Sequence, residues 1–254
     1  LPGVMLRNRI MTVKLHDGER LDDLILAGMK GIQRPDQFCF SLDTILLAHF
    51  GDVPRGPVLD LGTGTAAIPL ILAARGVKKI TALELNPVMA DIAARNVELN
   101  GKDAVINVEN SDYRQLATKY SAGYFTAVYV NPPYRELFRG ASSEREGVRR
   151  ARHEETATLD DVLRTAAYAL KFHGRFRMVH ISERLAEILE AMRRYEIEPK
   201  ILRPVYGRRG KAAKFFLVEG LRGGKEGMVL QEPLITHNND GTYTDEVLRI
   251  YGKA

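Results

Sequence analysis

The sequence has one cysteine, Cys39, so no internal disulfide can form, and a reducing compartment is the plain reading. Cys39 itself reads as a small core residue, not a nucleophile. No window of about 18 consecutive apolar residues exists, which is what a bilayer-spanning helix needs. The stretch Leu1–Arg7 is too short and too poorly organised for a secretory signal. The expectation is a cytoplasmic protein without a membrane partner. The six histidines show no ligand spacing and there is no Cys/His cluster, so no metal is expected. Repeats and low-complexity tracts are absent as well.

What is present suffices for a large α/β domain with small appendages: 254 residues, 45% of them hydrophobic. A net charge of +5 and a pI near 9.3 favour a polyanionic partner only weakly, so the placement of charge matters more than its sum. Two clusters stand out. Arg135, Arg139, Arg145, Arg149, Arg150 and Arg152 form one; Arg203, Arg208, Arg209, Lys211 and Lys214 form the other. Either alone reads equally well as solvated charge, but together they favour a nucleic-acid partner.

The first 56 residues read as an N-terminal cap: a strand at Met11–Leu15, a turn at His16–Glu19, and a short helix or strand at Leu21–Leu26. Ser41 is a good N-cap for a helix whose apolar positions are Leu42, Ile45, Leu46 and Phe50. Gly51–Pro57 is a linker. Val58–Leu61 then reads as a buried strand, Gly62-Thr63-Gly64-Thr65 as a tight turn, and Ala66–Ala74 as a helix. Strand, glycine turn and helix make the nucleotide-binding unit of a doubly wound sheet. Ile80–Leu83, Val105–Val108 and Tyr124–Val130 continue the strand series. Asn86-Pro87 opens a helix that closes at Asn100-Gly101. After a polar loop over 135–156 come a helix at Leu159–Leu170, a strand at Gly174–Ile181 and a helix at Leu185–Met192. An antiparallel pair, Ile197–Val205 with Ala212–Val218, follows, joined by the basic turn. The expected domain is residues 57–220, with a C-terminal extension over 221–254.

Asp60, Glu84, Asp112 and Asn131 each end an expected strand, so a parallel sheet would line them along one rim as a ligand groove. Gly62, Gly64 and Ala67 fit a dinucleotide pattern, with Glu84 about far enough on to hold a ribose. Asn131-Pro132-Pro133-Tyr134 is more specific. Two prolines stop the strand and stiffen the loop. Asn131 offers a side-chain carbonyl, Pro132 a main-chain carbonyl and Tyr134 a flat aromatic face, a set suited to a planar group bearing an NH₂.

In this order Asp60-Leu61-Gly62-Thr63-Gly64-Thr65, Glu84-Leu85-Asn86-Pro87, Ser111-Asp112 and Asn131-Pro132-Pro133-Tyr134 resemble the motifs of class I S-adenosylmethionine-dependent methyltransferases. Phe40-Ser41-Leu42-Asp43, Ala151-Arg152-His153-Glu154 and Gly241-Thr242-Tyr243-Thr244 with Ile250-Tyr251 extend the likeness to the bacterial tRNA adenine-N6 methyltransferase group. The resemblance implies a Rossmann-like, mostly parallel seven-stranded sheet with an antiparallel last strand. It implies S-adenosyl-L-methionine as cofactor, held by Phe40, Ser41, Asp60, Gly62, Thr63, Gly64, Glu84, Leu85, Asp112, Tyr113 and Asn131. In that reading Glu84 takes the ribose hydroxyls and Asp112 the adenine amine of the donor. Asn131, Pro132 and Tyr134 carry the transfer to the N6 amine of an adenine in RNA, tRNA foremost. Position 66 is Ala where many relatives carry Gly. Other acceptors fit the same loop: a base of ribosomal RNA or DNA, or a protein glutamine amide. A nucleotide-binding oxidoreductase and an inert binding module are the rivals from other classes.

Overall fold

The computed structural model describes residues 14–23, 28–34, 41–132 and 158–253. Five mutually parallel strands form its centre: β3 (Val58–Leu61), β4 (Ile80–Glu84), β5 (Ile106–Asn110), β6 (Phe125–Val130) and β7 (Leu170–Ile181). β8 (Ile197–Tyr206) and β9 (Ala213–Arg222) complete the expected seven. β9 lies between β7 and β8 and is antiparallel to both, so β8 again runs parallel to the centre. Two strands of two residues each, β10 (Val229–Leu230) and β11 (Leu234–Ile235), add to β8 and make the sheet nine-stranded, in the order β10-β8-β9-β7-β6-β3-β4-β5 with β11 beside β8.

Both faces are covered, which is why the central strands read as unbroken apolar runs. Val58, Ile80, Ala82, Ala127, Tyr129 and Val179 pack on one side with α1 (Leu42–His49), α2 (Ala67–Ala74) and α3 (Pro87–Leu99). Leu59, Leu61, Leu83, Val128, Val130, Phe176 and Met178 pack on the other with α4 (Leu159–Ala169) and α5 (Leu185–Arg194). Thr158 and Asp161 close a capping box at the start of α4.

Tyr129, Arg177 and Glu219 are neighbours in register on β6, β7 and β9, all buried. Arg177 Nε donates to Glu219 Oε2 at 2.7 Å, and its Nη1 donates to the Asp52 carbonyl at 2.7 Å and to the Tyr129 hydroxyl. The linker at 51–57 is thereby fastened to the sheet. Removing one partner of such a buried pair costs about 3–5 kcal/mol, because the other charge stays unsolvated.

The N-terminal part departs most from expectation. The His16–Glu19 turn is present, with Glu19 N donating to the His16 carbonyl at 3.1 Å. Leu21–Asp23 belongs to a strand, β1 (Arg20–Asp23), which pairs with an unforeseen β2 (Lys30–Gln33). β2 docks on α3 through two buried or half-buried amides. Asn96 Oδ1 accepts from Ile32 N at 2.6 Å and its Nδ2 donates to Ile32 O at 3.1 Å; Asn100 does the same for Lys30, at 3.1 and 2.7 Å. Four helical residues rise about 6 Å and two strand residues about 6.6 Å, so amides one helical turn apart match alternate residues of a strand. Residues 11–13, 24–26 and the loop 135–156 with its basic cluster lie outside the described residues. A last helix, α6 (Asp245–Ile250), lies within the C-terminal extension.

Candidate functional site

The glycine turn follows β3 and is stitched to β4. Gly62 N and Thr63 N both donate to the Leu83 carbonyl at 2.9 Å, and Gly64 N donates to Glu84 Oε2 at 2.8 Å. Gly62 and Gly64 sit at φ 71° and 58°, where a side chain is strained. A Cβ built on either would meet no atom of the described residues within 4 Å, so among these residues the turn faces open space. α2 starts at Ala67, one residue later than expected, because Ala66 adopts the left-handed conformation at φ 63°. The position that many relatives fill with glycine is therefore one where the backbone asks for it.

Glu84 stands at the end of β4. Its Oε1 accepts from Asn86 N at 2.9 Å, so each oxygen holds one main-chain N–H and keeps a further lone pair. Asn86 caps α3 through Val88 N and Met89 N, as its sequence position suggested. Leu85 is exposed beside it. Asn110 Nδ2 bonds the carbonyls of Glu84 and Leu85, both at 2.9 Å, and fixes this corner.

Asp60 does not end its strand. It lies inside β3, 1% exposed, pointing to the α1–α2 side with Val58. Among the described residues neither carboxylate oxygen has a hydrogen-bond partner, and nor does the buried Thr63 hydroxyl. Burial pushes Asp60 up to about 7; the nearby Thr63 hydroxyl opposes this and the Glu84 charge adds to it. Buried polar atoms without partners cost free energy unless something else satisfies them. A ligand with a cationic or donor group would do so.

Asp112 lies two residues past the end of β5, as the N-cap of a 3₁₀ turn at Tyr113–Thr118. Both its oxygens receive Arg114, with a salt bridge of 2.6 Å. Partial burial works against the charge, but Arg114 prevails and holds the carboxyl below the ordinary range. Tyr113 packs into the core, and burial beside Asp161 and Asp112 raises its hydroxyl above the usual phenol.

Asn131 follows β6 directly, and Pro132 after it is buried. Asn131 Nδ2 donates to Thr44 Oγ1 at 2.9 Å, from the first turn of α1. Thr44 is buried, and its part here was not visible in sequence, 87 residues away. Ser41 occupies the N-cap position of α1 without capping it; its hydroxyl bonds Asp43, which itself accepts from Thr44 N at 3.0 Å. The other missed residue is Asn96, whose Nδ2 also donates to the Thr65 carbonyl at 3.0 Å and ties the glycine turn to the N-terminal hairpin. Phe40, Pro133 and Tyr134 lie outside the described residues.

Because β3, β4, β5 and β6 run the same way, the glycine turn, Glu84, Asp112 and Asn131 share the carboxyl rim. A cleft of about 820 Å³ lined by Tyr168, Phe172 and Arg222 lies at the opposite, amino rim, and brings no comparable set of groups together. Among the described residues one group, His16, Glu19 and Asp91, has metal-like spacing, but Arg95 pairs with both carboxylates and draws Glu19 down to about 2. No helix among these residues is long and apolar enough to cross a membrane.

The family model described as Conserved hypothetical protein 95 matches residues 44–141, a span that holds the glycine turn, Glu84, Asp112 and Asn131. The chain is 24% identical over 214 residues to a tRNA1(Val) (adenine(37)-N6)-methyltransferase of Photobacterium profundum, covering 83% of this chain and 88% of that one. It is 32% identical over 110 residues to a putative protein N5-glutamine methyltransferase of Methanocaldococcus jannaschii, covering 43% and 53%. Among solved structures, a predicted O-methyltransferase from Agrobacterium tumefaciens matches with a TM-score of 0.66 at 24% identity, over 84% of this chain and 97% of that one. That likeness shows the fold; the orphaned Asp60 and Thr63 oxygens and the open glycine turn show a site that fits the donor's amino-acid portion. By strand order, by the sequence of its motifs and by these relatives, the chain is similar to class I S-adenosylmethionine-dependent methyltransferases.

Proposed function

We propose that the chain methylates the exocyclic N6 amine of an adenine in RNA, a tRNA foremost, and does so in the cytoplasm. The observation that carries this is the Asn131 amide at the carboxyl end of β6, its Nδ2 engaged by Thr44 at 2.9 Å and followed by the buried Pro132. With Nδ2 directed at the protein, Oδ1 lies on the opposite edge of the amide, the polarity an NH₂ group requires. Residues 57–220 serve as the catalytic unit, with 1–56 and 221–254 as additions.

The bound cofactor supplies an electrophilic methyl group on a sulfonium. Asp60, Gly62, Thr63 and Gly64 hold its amino-acid end, Glu84 its ribose, and Leu85, Asp112 and Tyr113 its adenine, with Phe40 and Ser41, which precede α1 in the sequence, as further contacts. An exocyclic amine is a poor nucleophile because its lone pair is delocalised into the ring. Asn131 Oδ1 and the Pro132 carbonyl accept its two hydrogens, favour a pyramidal nitrogen and aim the lone pair, while Tyr134 stacks on the unstacked base. Neither oxygen is basic enough to keep the proton, which passes to water. The exposed turn carrying Arg208, Arg209 and Lys211, with the cations of 135–152, receives the RNA backbone.

A glutamine amide presents the same NH₂, and the Methanocaldococcus jannaschii relative's name supports that second reading. Labelled donor, total RNA and total protein separate the two. Label should enter RNA as N6-methyladenosine, identified by nucleoside mass spectrometry. In Asn131→Ala the turnover should fall on the order of a hundredfold while affinity for S-adenosylhomocysteine stays within about threefold. Label in a protein amide instead, or equal loss of turnover and affinity, rejects the assignment.

A further inference from the structure

The C-terminal segment carries the pairing along β8 beyond the strand's end and into the basic turn. Thr236 N and His237 N donate to the Tyr206 and Gly207 carbonyls at 2.9 and 3.1 Å. The chain then folds back, with His237 bridging Tyr243 and Asn238 N donating to the Thr242 carbonyl at 2.8 Å. This hairpin brings rings together: His237 and Tyr243 lie 4.8 Å apart between centroids, and Tyr243 stacks on the buried Tyr251 at 5.5 Å. Tyr243 still keeps 37% of its surface open. β11 runs parallel to β8, so the hairpin stands on the carboxyl rim, beside the turn carrying Arg208, Arg209 and Lys211. The two are neighbours, since a Cβ built on Gly241 at the hairpin tip would lie 3.6 Å from Arg208 Nη2. The nearby acids have other work. Asp240 accepts from the Thr242 N–H and hydroxyl at 2.9 and 2.7 Å, Glu246 pairs with Arg203, and Asp245 lies in the first turn of α6, which favours an anion.

We infer that His237 and Tyr243 form a stacking platform for an unpaired nucleobase of the RNA, while the adjoining turn takes the phosphates beside it. The inference rests on the RNA reading of the proposed function and deepens it. A cationic edge alone receives any polyanion. Aromatic rings set against cations hold single-stranded nucleic acid, because every base has a flat face and every link a charge. Ring contacts and the backbone bridge place Tyr243 before RNA arrives, so little side-chain freedom is lost on stacking. Four strand spacings separate β6 from β11, about 19 Å, so the base taken here is not the one at Asn131 but another of the same loop.

The chain has no tryptophan, so Tyr243→Trp places a single indole reporter at the platform and keeps a ring that can stack. Its affinity for unfractionated tRNA should stay within about twofold of the native value. Its emission should fall as tRNA is added, but not with inorganic polyphosphate, which has the charges without the bases. Tyr243→Leu should weaken tRNA binding roughly five- to fiftyfold at every salt concentration. The slope of log affinity against log salt should stay unchanged, since no phosphate contact is removed. A ring that only supports the turn gives the other pattern, a flattened slope with a lower melting temperature as the cations lose their footing. Unchanged indole emission with tRNA, equal changes with tRNA and polyphosphate, or a flattened slope in Tyr243→Leu each overturn the platform and leave N6 transfer standing. Should Tyr243→Leu fail to fold, the indole emission decides alone. A native chain that neither binds nor methylates RNA rejects the proposed function, and the platform falls with it.

Discussion

Asp60 is the residue whose chemistry is most exposed to test. Its carboxyl is buried without a hydrogen-bond partner among the described residues and pushed up to about 7, against 3.8 for an ordinary aspartate. Between those values the folded chain keeps the proton that the unfolded chain has lost, so stability falls as pH rises from about 4 to about 7 and is level above. Asp60→Asn removes the titration. The variant's melting temperature should therefore gain on the native chain across that window, with a constant difference from pH 7 to 8, in thermal unfolding followed by circular dichroism. The same variant should lose affinity for S-adenosylhomocysteine, because the group proposed to meet the ligand's ammonium is no longer an anion above pH 7. A constant difference at every pH would mean that Asp60 is ionised in the folded chain throughout. Lower stability in the native chain together with a loss of binding in the variant is the pattern expected of a ligand site built into a core.

At the scale of elements, the passage from β3 to α2 carries a cost at Ala66, left-handed at φ 63° and fully buried. Ala66→Gly should raise stability by about 1 kcal/mol, read as a shifted denaturation midpoint with unchanged slope. The glycine turn has a second support. Asn96 satisfies three buried backbone groups, on Ile32 and Thr65, and Asn96→Ala should cost at least about 2 kcal/mol and also weaken donor binding. Unchanged donor affinity would show the hairpin and the turn to be uncoupled. These contacts also explain what could be read beforehand. The central strands were legible because a sheet covered on both faces writes itself as apolar runs, such as Val58–Leu61 and Phe125–Val130. The helix at Pro87–Leu99 was legible from its caps. β2 was not, since Lys30-Gly31-Ile32-Gln33 has no strand-like pattern and is held by side chains more than 60 residues away. Asp60 was misplaced for the reverse reason: an acid in a short apolar run looks like a strand end, and only burial on both faces shows it to be interior. Asn131 was placed correctly; its partner on α1 had no local signal.

For the whole molecule, the direction of β8 matters most. It runs parallel to β6, so the turn after it, with Arg208, Arg209 and Lys211, stands on the same rim as Asn131. Three strand spacings separate β6 from β8, about 14 Å, within reach of one RNA loop. The C-terminal segment braces that turn: Thr236 N and His237 N donate to the carbonyls of Tyr206 and Gly207 at 2.9 and 3.1 Å, and Tyr243 stacks on Tyr251 behind them. Arg203, expected to join the cluster, is used otherwise. It pairs with Glu246 at 2.7 Å and with the Glu232 carbonyl at 3.0 Å, holding α6 to β8. Arg209, Lys211 and Lys214 are exposed and make no ion pair among the described residues. Each phosphate contact on a single strand contributes about 0.7 to the slope of log affinity against log salt. Neutralising Arg208, Arg209 and Lys211 to glutamine should therefore flatten that slope by about 2, measured by filter binding of RNA at several salt concentrations. Arg203→Gln should leave the slope unchanged and lower the melting temperature instead. A slope unmoved by the triple change would take the turn out of the interface, and one moved by Arg203→Gln would mean that the Glu246 pair opens to admit RNA.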